Sequence, residues 1–153
     1  MELADLRNMW TPRILSVLRI MTALLLLQFG MAKLLGFPVS ASLNNVQQFS
    51  IQWFAGVLEL SCGALLLIGL FTRPVAFILS GLMAFAYFIG HAPKGLYPLT
   101  NGGNLAVIFC FVFLYFACAG GGVWSVDALL KRPDGSRRSA ELPRATSSAG
   151  RSA

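Results

Sequence analysis

Four long apolar stretches, separated by short polar segments, dominate the sequence. They cover residues 14–35, 53–71, 74–90 and 104–120. A helix needs about 20 residues to cross a 30 Å hydrocarbon core, and these stretches approach or reach that length. Their apolar residues run on without the alternation typical of membrane β-barrels. Because backbone groups in lipid must be hydrogen-bonded internally, the pattern predicts an all-α integral membrane protein, a bundle of four transmembrane helices.

Residues that favour helix ends flank the apolar stretches. Thr11-Pro12 predicts the start of the first helix, and Gly36-Phe37-Pro38 predicts its end. Thr72-Arg73-Pro74 predicts a minimal turn, so the second and third helices should form an antiparallel hairpin. The glycines at 120–122 close the fourth helix.

The pattern changes sharply after the fourth stretch. Residues 1–130 are predicted to form the transmembrane domain, and residues 131–153 a basic, disordered cytoplasmic tail, because the tail is rich in Ser, Arg, Ala and Gly. Between the two, residues 124–132 predict a short helix in the membrane interface, with Ser125 as its N-cap.

Composition supports a membrane protein. The 153 residues are 56% hydrophobic and 12% charged, with a mean hydropathy of +0.69. Soluble domains carry roughly 25% charged residues. Glu59 is the only carboxylate between residues 6 and 126, so a soluble fold would lack charges to cover its surface over that whole length.

The distribution of the net charge of +6 predicts the orientation. Arg7, Arg13 and Arg73 fall on one side of a four-span bundle, whereas Lys33 and Lys94 fall on the other. Six of the twelve basic residues follow the last apolar stretch: Lys131, Arg132, Arg137, Arg138, Arg144 and Arg151. The positive-inside rule therefore places both termini in the cytoplasm, with the protein in the bacterial inner membrane. This placement favours the lipid bilayer over nucleic acid as the partner of the basic residues.

Ionisable residues inside the spans are the candidates for function, since each costs roughly 2.5–3.5 kcal/mol on insertion scales. Glu59 shares a helix face with Gly56 and Gly63, and such small residues allow close helix contact. Its expected partner in a structural ion pair is Lys33, at the outer end of the first helix. Arg19 is an interfacial charge expected to reach the cytoplasmic headgroups. Lys94 is its counterpart on the outer side.

The predicted topology collects polar side chains at the outer ends of the helices and predicts a polar pocket there. The candidate ligand-binding residues are Lys33, Glu59, His91, Asn104, Tyr87 and Tyr115. Two interpretations remain open, since these residues could bind a ligand or could serve packing alone. One histidine and one membrane carboxylate do not make a transition-metal site. No catalytic residue is assigned.

Several short motifs, in this order and spacing, resemble those of the DoxX family of small bacterial membrane proteins. They are Leu18-Arg19, Gly30-Met-Ala-Lys33-Leu, Ala55-Gly-Val-Leu-Glu59-Leu, Phe71-Thr-Arg73-Pro74, His91-Ala-Pro-Lys94-Gly, Asn101-Gly-Gly-Asn104 and Trp124-Ser-Val-Asp127. The resemblance covers roughly residues 13–130 and implies a four-helix membrane fold.

The resemblance also implies a membrane subunit of a redox system. Such a protein would be at most a subunit of a quinone-linked oxidoreductase, with a quinone or small amphiphile as its ligand and a soluble or membrane redox partner. The alternative is a non-enzymatic scaffold that assembles another protein. Two positions depart from the family pattern: Phe29 replaces a frequent histidine, and Asn104 replaces a frequent carboxylate.

Overall fold

The computed structural model describes residues 3–40, 43, 44 and 46–131. These residues form six α-helices, and a π-helical turn (Tyr87–His91) followed by a 3₁₀ turn (Ala92–Lys94) extends the third. The helices are α1 (Leu3–Leu35), α2 (Ile51–Ile68), α3 (Thr72–Ala86), α4 (Pro98–Asn101), α5 (Asn104–Ala119) and α6 (Val126–Leu130). Apart from Lys131, the predicted tail (residues 131–153) lies outside the described residues.

Among the described residues, three helical segments are long and apolar enough to cross a membrane, namely Arg7–Leu35, Ile51–Ile68 and Thr72–Lys94. The fourth, α5, is a shorter apolar helix of 16 residues, or about 24 Å at 1.5 Å per residue. The prediction of an all-α fold is confirmed. Its architecture is that of a multi-pass helical membrane protein.

The long helices pack side by side in two main pairs, α1 with α2 and α3 with α5, and α2 also contacts α3. The shared core contains residues that are almost completely shielded: Ala23, Leu26, Leu66, Leu79, Phe113 and Phe116. Large apolar side chains also cover the outside, including Phe77, Ile108 and Phe111, each more than half exposed. This outer surface suits hydrocarbon better than water.

α1 and α2 approach closely where glycines face each other. A Cβ atom added at Gly30 would lie 2.8 Å from the backbone nitrogen of Leu60 and 3.1 Å from the carbonyl oxygen of Gly56. Backbone atoms cannot move aside as a flexible side chain can. The absence of a side chain at Gly30 is therefore what lets the two helices cross here.

Two predicted helix boundaries are wrong. α1 begins at Leu3, with Pro12 inside the helix, where its missing N–H and its ring disfavour the helix but do not end it. The turn between α2 and α3 precedes Thr72, which is the first residue of α3. Gly69 and Phe71 make that turn in left-handed conformations, with φ of 72° and 50°.

The bundle has two chemically different ends. The Arg19 end comprises the first half of α1, the α2–α3 turn, the end of α5 and α6. The Lys33 end comprises the end of α1, the start of α2 and residues 87–104. The start of α1 and the end of α6 are the described helix ends nearest the two chain termini, and both lie at the Arg19 end.

At the Arg19 end, α6 supports the start of α3. Ser125 caps α6 as predicted, its hydroxyl accepting from the backbone nitrogen of Ala128 at 3.2 Å. Asp127 accepts from the backbone nitrogens of Phe71 at 2.9 Å and Thr72 at 2.8 Å. A carboxylate from α6 thus caps α3, which has no side-chain cap of its own.

Candidate ligand-binding site

An ion pair joins α1 and α2 at the Lys33 end. Lys33 lies in the last turn of α1, and Glu59 lies on the buried face of α2 with Gly56 and Gly63. Lys33 Nζ donates to Glu59 Oε1 at 2.6 Å and to Oε2 at 2.8 Å. The two side chains that the sequence analysis paired are therefore in direct contact.

The ion pair is shielded but retains hydrogen-bonding capacity. The Lys33 side chain is 13% exposed and the Glu59 side chain 5%. Glu59 lies about 12 Å along α2 from its start, at 1.5 Å per residue. Losing either partner would leave an unpaired buried charge. An ammonium group has three protons and a carboxylate about four acceptor positions, so the two hydrogen bonds leave both groups able to bind a third partner.

His91 sits at the end of the π-helical turn and is held by its neighbours. Its Nδ1 atom lies 3.0 Å from the carbonyl oxygen of Asn101. Its ring stacks on Tyr87, with ring centroids 6.4 Å apart and planes 20° apart. The Tyr87 hydroxyl in turn donates to the carbonyl oxygen of Leu96 at 2.8 Å. The π-helical turn therefore carries a histidine whose ring position is fixed from two sides.

A cavity of about 290 Å³ brings these groups together, with walls from α1, α2, α3 and α5. Its polar lining consists of Lys33, Glu59 and His91. Deeper in the bundle the lining is apolar, formed by residues that include Leu26, Phe29, Met83 and Phe109. The Phe29 and Phe109 rings meet edge to face, with centroids 6.5 Å apart. A polar end and an apolar end in one cavity can accommodate an amphiphile of roughly one ring.

Comparison with known proteins identifies the family. The DoxX family profile matches residues 14–92, slightly more than half of the chain. The chain belongs to the DoxX family. A protein of Haemophilus influenzae described as uncharacterized is 43% identical over 122 residues, which cover 77% of this chain and 91% of that protein. No solved structure gives a significant match.

Not every candidate residue of this DoxX protein lines the cavity. Asn104 is exposed at the first position of α5, and Tyr115 is 52% exposed further along the same helix. Tyr87 stacks on the His91 ring but does not line the cavity. Lys94 is exposed in the 3₁₀ turn. Among the candidate residues, Lys33, Glu59 and His91 are the ones that the fold brings together.

Asn101 is a polar residue of this site that the candidate set omitted. It is 6% exposed, and its side chain donates to the carbonyl oxygen of Gly95 at 2.6 Å. Its amide oxygen accepts from the backbone nitrogen of Gly103 at 2.8 Å. The motif Asn101-Gly-Gly-Asn104 was a signal for it, because glycines next to an asparagine are typical of a hydrogen-bonded turn.

The family departures fall differently in the fold. Phe29 lines the cavity, so at the position where the family pattern has a frequent histidine this chain presents an apolar ring to the site. Asn104 is exposed and does not line the cavity, so the replaced carboxylate lies outside it. The polar end of the cavity is thus composed of the ion pair and His91.

The prediction that Arg19 reaches the headgroups is wrong. Its side chain is fully buried and donates to the backbone carbonyls of Gly121 at 2.9 Å, Leu67 at 2.5 Å and Trp124 at 2.7 Å, and also to that of Leu66. The carbonyls at the end of α2 carry the negative end of the helix dipole, which stabilises a cation there. Arg19 therefore joins α1, α2 and the segment between α5 and α6, far from the cavity.

A second and larger cavity, of about 390 Å³, lies at the Arg19 end between the α2–α3 turn and α6. Its carboxylate is Asp127. Burial acts to raise the pKa of Asp127, but the hydrogen bonds from Thr72 and Phe71 and the nearby charge of Lys131 outweigh it and hold the pKa below its ordinary value. Since Asp127 is occupied in capping α3, the Lys33 end is the better candidate for ligand binding.

Proposed function

We propose that this DoxX protein is a membrane subunit of a redox system that binds a quinone or another small amphiphile in the cavity at the Lys33 end. The observation that carries the proposal is the composition of the cavity wall. Lys33, Glu59 and His91 line its polar end, and apolar side chains such as Phe29 and Phe109 line the rest. Soluble or membrane redox partners would complete the system.

The proposed orientation places this cavity in the outer half of a bacterial inner membrane. We propose four spans, with α5 as the shortest, and both termini in the cytoplasm. Arg7, Arg13 and Arg73 belong to the Arg19 end, and the basic tail follows from there, whereas Lys33 and Lys94 belong to the other end. Labelling of a cysteine introduced at Val39, which is 87% exposed, tests this in a cysteine-free background. Labelling from the cytoplasm alone would contradict the topology.

The three polar side chains have separate roles in this proposal. Lys33 would donate a hydrogen bond to an oxygen of the ligand head group, while Glu59 keeps the lysine charged and in place. His91 would exchange a hydrogen bond, and a proton where one is released, with the same head group. A quinone supplies the electron-carrying chemistry when it is bound. The protein supplies orientation and protection from water.

Saturable binding of a quinone analogue to the purified protein in nanodiscs tests the proposal. Glu59→Gln and His91→Ala should each weaken that binding by tenfold or more, provided that far-UV circular dichroism shows an intact bundle. Ser61→Ala is the matched control, because Ser61 is exposed on α2 and its hydroxyl bonds to Val57 in its own helix. A titration without saturation would refute ligand binding at this site.

The scaffold is the second candidate function, and the ion pair itself favours it. Lys33 and Glu59 already bind each other through two short hydrogen bonds, so they could serve only to fix the α1–α2 register. A scaffold would show no saturable quinone binding and would retain its cellular function in His91→Ala. Recovery of the same partner proteins from native membranes with wild type and His91→Ala would then support it.

A further inference from the structure

The polar end of the cavity has more hydrogen-bond acceptors than donors, and the tautomer of His91 is the first reason. The carbonyl oxygen of Asn101 can only accept, so the His91 Nδ1 atom, 3.0 Å away, must carry the proton and donate it. In the neutral ring the Nε2 atom is then an acceptor. This Nε2 atom makes no hydrogen bond to any residue that the structure describes.

Asn101 holds that tautomer in place as a positioning residue. Its side chain is tied to Gly95 and to the backbone nitrogen of Gly103, which fixes the carbonyl oxygen that His91 binds. Its amide nitrogen also lies 3.5 Å from the Tyr87 hydroxyl, next to the ring on which His91 stacks. Turning the His91 ring so that Nδ1–H faced the cavity would break its hydrogen bond to the carbonyl oxygen of Asn101.

The ion pair adds to the same imbalance. The Lys33 ammonium has three protons, and one or two of them serve the two oxygens of Glu59, which leaves one or two donors for a ligand. The Glu59 carboxylate has about four acceptor positions and uses two of them for Lys33. Together with His91 Nε2, the polar end thus offers one or two donors and about three acceptor positions.

We infer that the cavity prefers the reduced, hydroxyl-bearing form of an aromatic head group, a quinol or a related phenol, over the carbonyl form. This inference rests on the proposed function and specifies its ligand. A hydroxyl group can donate to His91 Nε2 or Glu59 and can also accept from Lys33. A carbonyl group accepts from Lys33 and leaves the acceptors of His91 and Glu59 unpaired next to the ligand. Buried groups that lose their partner discriminate strongly between otherwise similar ligands.

Three probes with the same ring and alkyl chain test the preference with purified protein in zwitterionic nanodiscs under anaerobic conditions. They are a decyl-substituted benzoquinone, its quinol, and the dimethyl ether of that quinol, which keeps the ring and its oxygens, removes both O–H donors and adds two methyl groups. The quinol should bind about tenfold more tightly than the quinone or the ether, since each unmatched buried group weakens binding by roughly fivefold or more. Protein-free nanodiscs give the partition of each probe into lipid, which is subtracted.

Two variants assign the preference to the residues. His91→Phe keeps an aromatic ring against Tyr87 and removes the acceptor, so it should weaken quinol binding by a larger factor than quinone binding. Asn101→Ala should also lower the ratio of the two affinities, although it removes no atom that lines the cavity. Thr100→Ala is the matched control, because Thr100 is exposed and its hydroxyl bonds to Tyr97 within the same loop.

The outcomes separate the inference from the proposed function. Saturable binding with equal affinity for quinol and quinone, or tighter binding of the quinone, would overturn the inference and leave ligand binding intact. An ether that binds as tightly as the quinol would overturn it as well, since apolar contact alone would then explain the affinity. Absence of saturable binding for all three probes would overturn both.

Discussion

Replacing Arg19 with Met is expected to destabilise the folded protein by about 4 kcal/mol, and replacing it with Lys by about half as much. The Arg19 guanidinium is fully buried and bonds to backbone carbonyls of α2 and of the segment between α5 and α6. Methionine is an adaptable apolar side chain that can fill much of the same space. The loss should therefore come mainly from hydrogen bonding.

The magnitude follows from the carbonyls that would be left. Leu66 O also receives a hydrogen bond from the backbone nitrogen of Gly69 at 3.1 Å. The carbonyl oxygens of Leu67, Gly121 and Trp124 have no second hydrogen bond to a described residue. Each buried carbonyl without a partner costs about 1–3 kcal/mol, or about 3–9 kcal/mol for three. Water entering from the adjacent membrane surface and the released desolvation of the guanidinium reduce the loss toward the lower part of that range.

Unfolding by a denaturing detergent, followed by far-UV circular dichroism, measures the effect. The matched control is Arg13→Met, on the same helix, where the guanidinium is bonded to the carbonyl oxygen of Met9 one turn earlier. This contact is exposed, and Arg13 also lies over the Trp10 ring, 5.9 Å from its centroid, so Arg13→Met should cost about 1 kcal/mol at most. An Arg19 side chain that merely reached the headgroups would be replaced by Lys without loss, because lysine extends to the interface equally well. Equal stability of Arg19→Lys, Arg19→Met and Arg13→Met would refute the buried arrangement.

Three further predictions concern packing, charge and pH, all measured by the same unfolding assay. Gly30→Ala should destabilise the folded protein by about 1–3 kcal/mol because the added Cβ would meet the α2 backbone. Gly81→Ala, whose Cβ would lie in open space, should be neutral or stabilising. Equal effects of the two substitutions would contradict the close crossing of α1 and α2. Glu59→Gln and Lys33→Met should each cost about 3–5 kcal/mol and the double variant much less, and strictly additive losses would exclude an interaction. The folded-state pKa of Asp127 is lowered, so the stability that this carboxylate contributes is present above its unfolded pKa of about 3.9 and is lost as the pH falls through the lower folded pKa. Asp127→Asn should remove this loss of stability at acid pH. Parallel curves of stability against pH for the two proteins would contradict the capping role.

The helical architecture could be predicted from the sequence because a bilayer allows few alternatives. Long apolar runs without period-two alternation have to be helices there, and α2 and α5 lie where the runs do. The helix boundaries were harder to predict from the sequence. Pro12 favours a helix start but can also lie inside a helix at a cost, and the outcome depends on how the nine helical residues before it are accommodated.

The ion pair of the site could be predicted, whereas the arrangement around it could not. A lone carboxylate on a glycine-lined face requires a partner, and Lys33 was the cation at the right depth. The environment of Arg19 has no comparable signal, because its partners are backbone carbonyls, which every residue type possesses, brought from positions about 50 and 100 residues away. The role of Asn101 likewise depends on a loop that folds back on His91.

The Arg19 and Lys33 cations of this DoxX protein differ in a way that separates a structural role from ligand binding. The donors of Arg19 are directed to backbone carbonyls of three elements, so its charge is matched by fixed dipoles and little hydrogen-bonding capacity remains for a ligand. Lys33 has one carboxylate partner, a spare proton and a cavity beside it. Arginine, with its rigid fork, suits the first task, and lysine, a compact charge with rotatable protons, suits the second. The residue types thus support the assignment of the ligand site to the Lys33 end and of the structural joint to the Arg19 end.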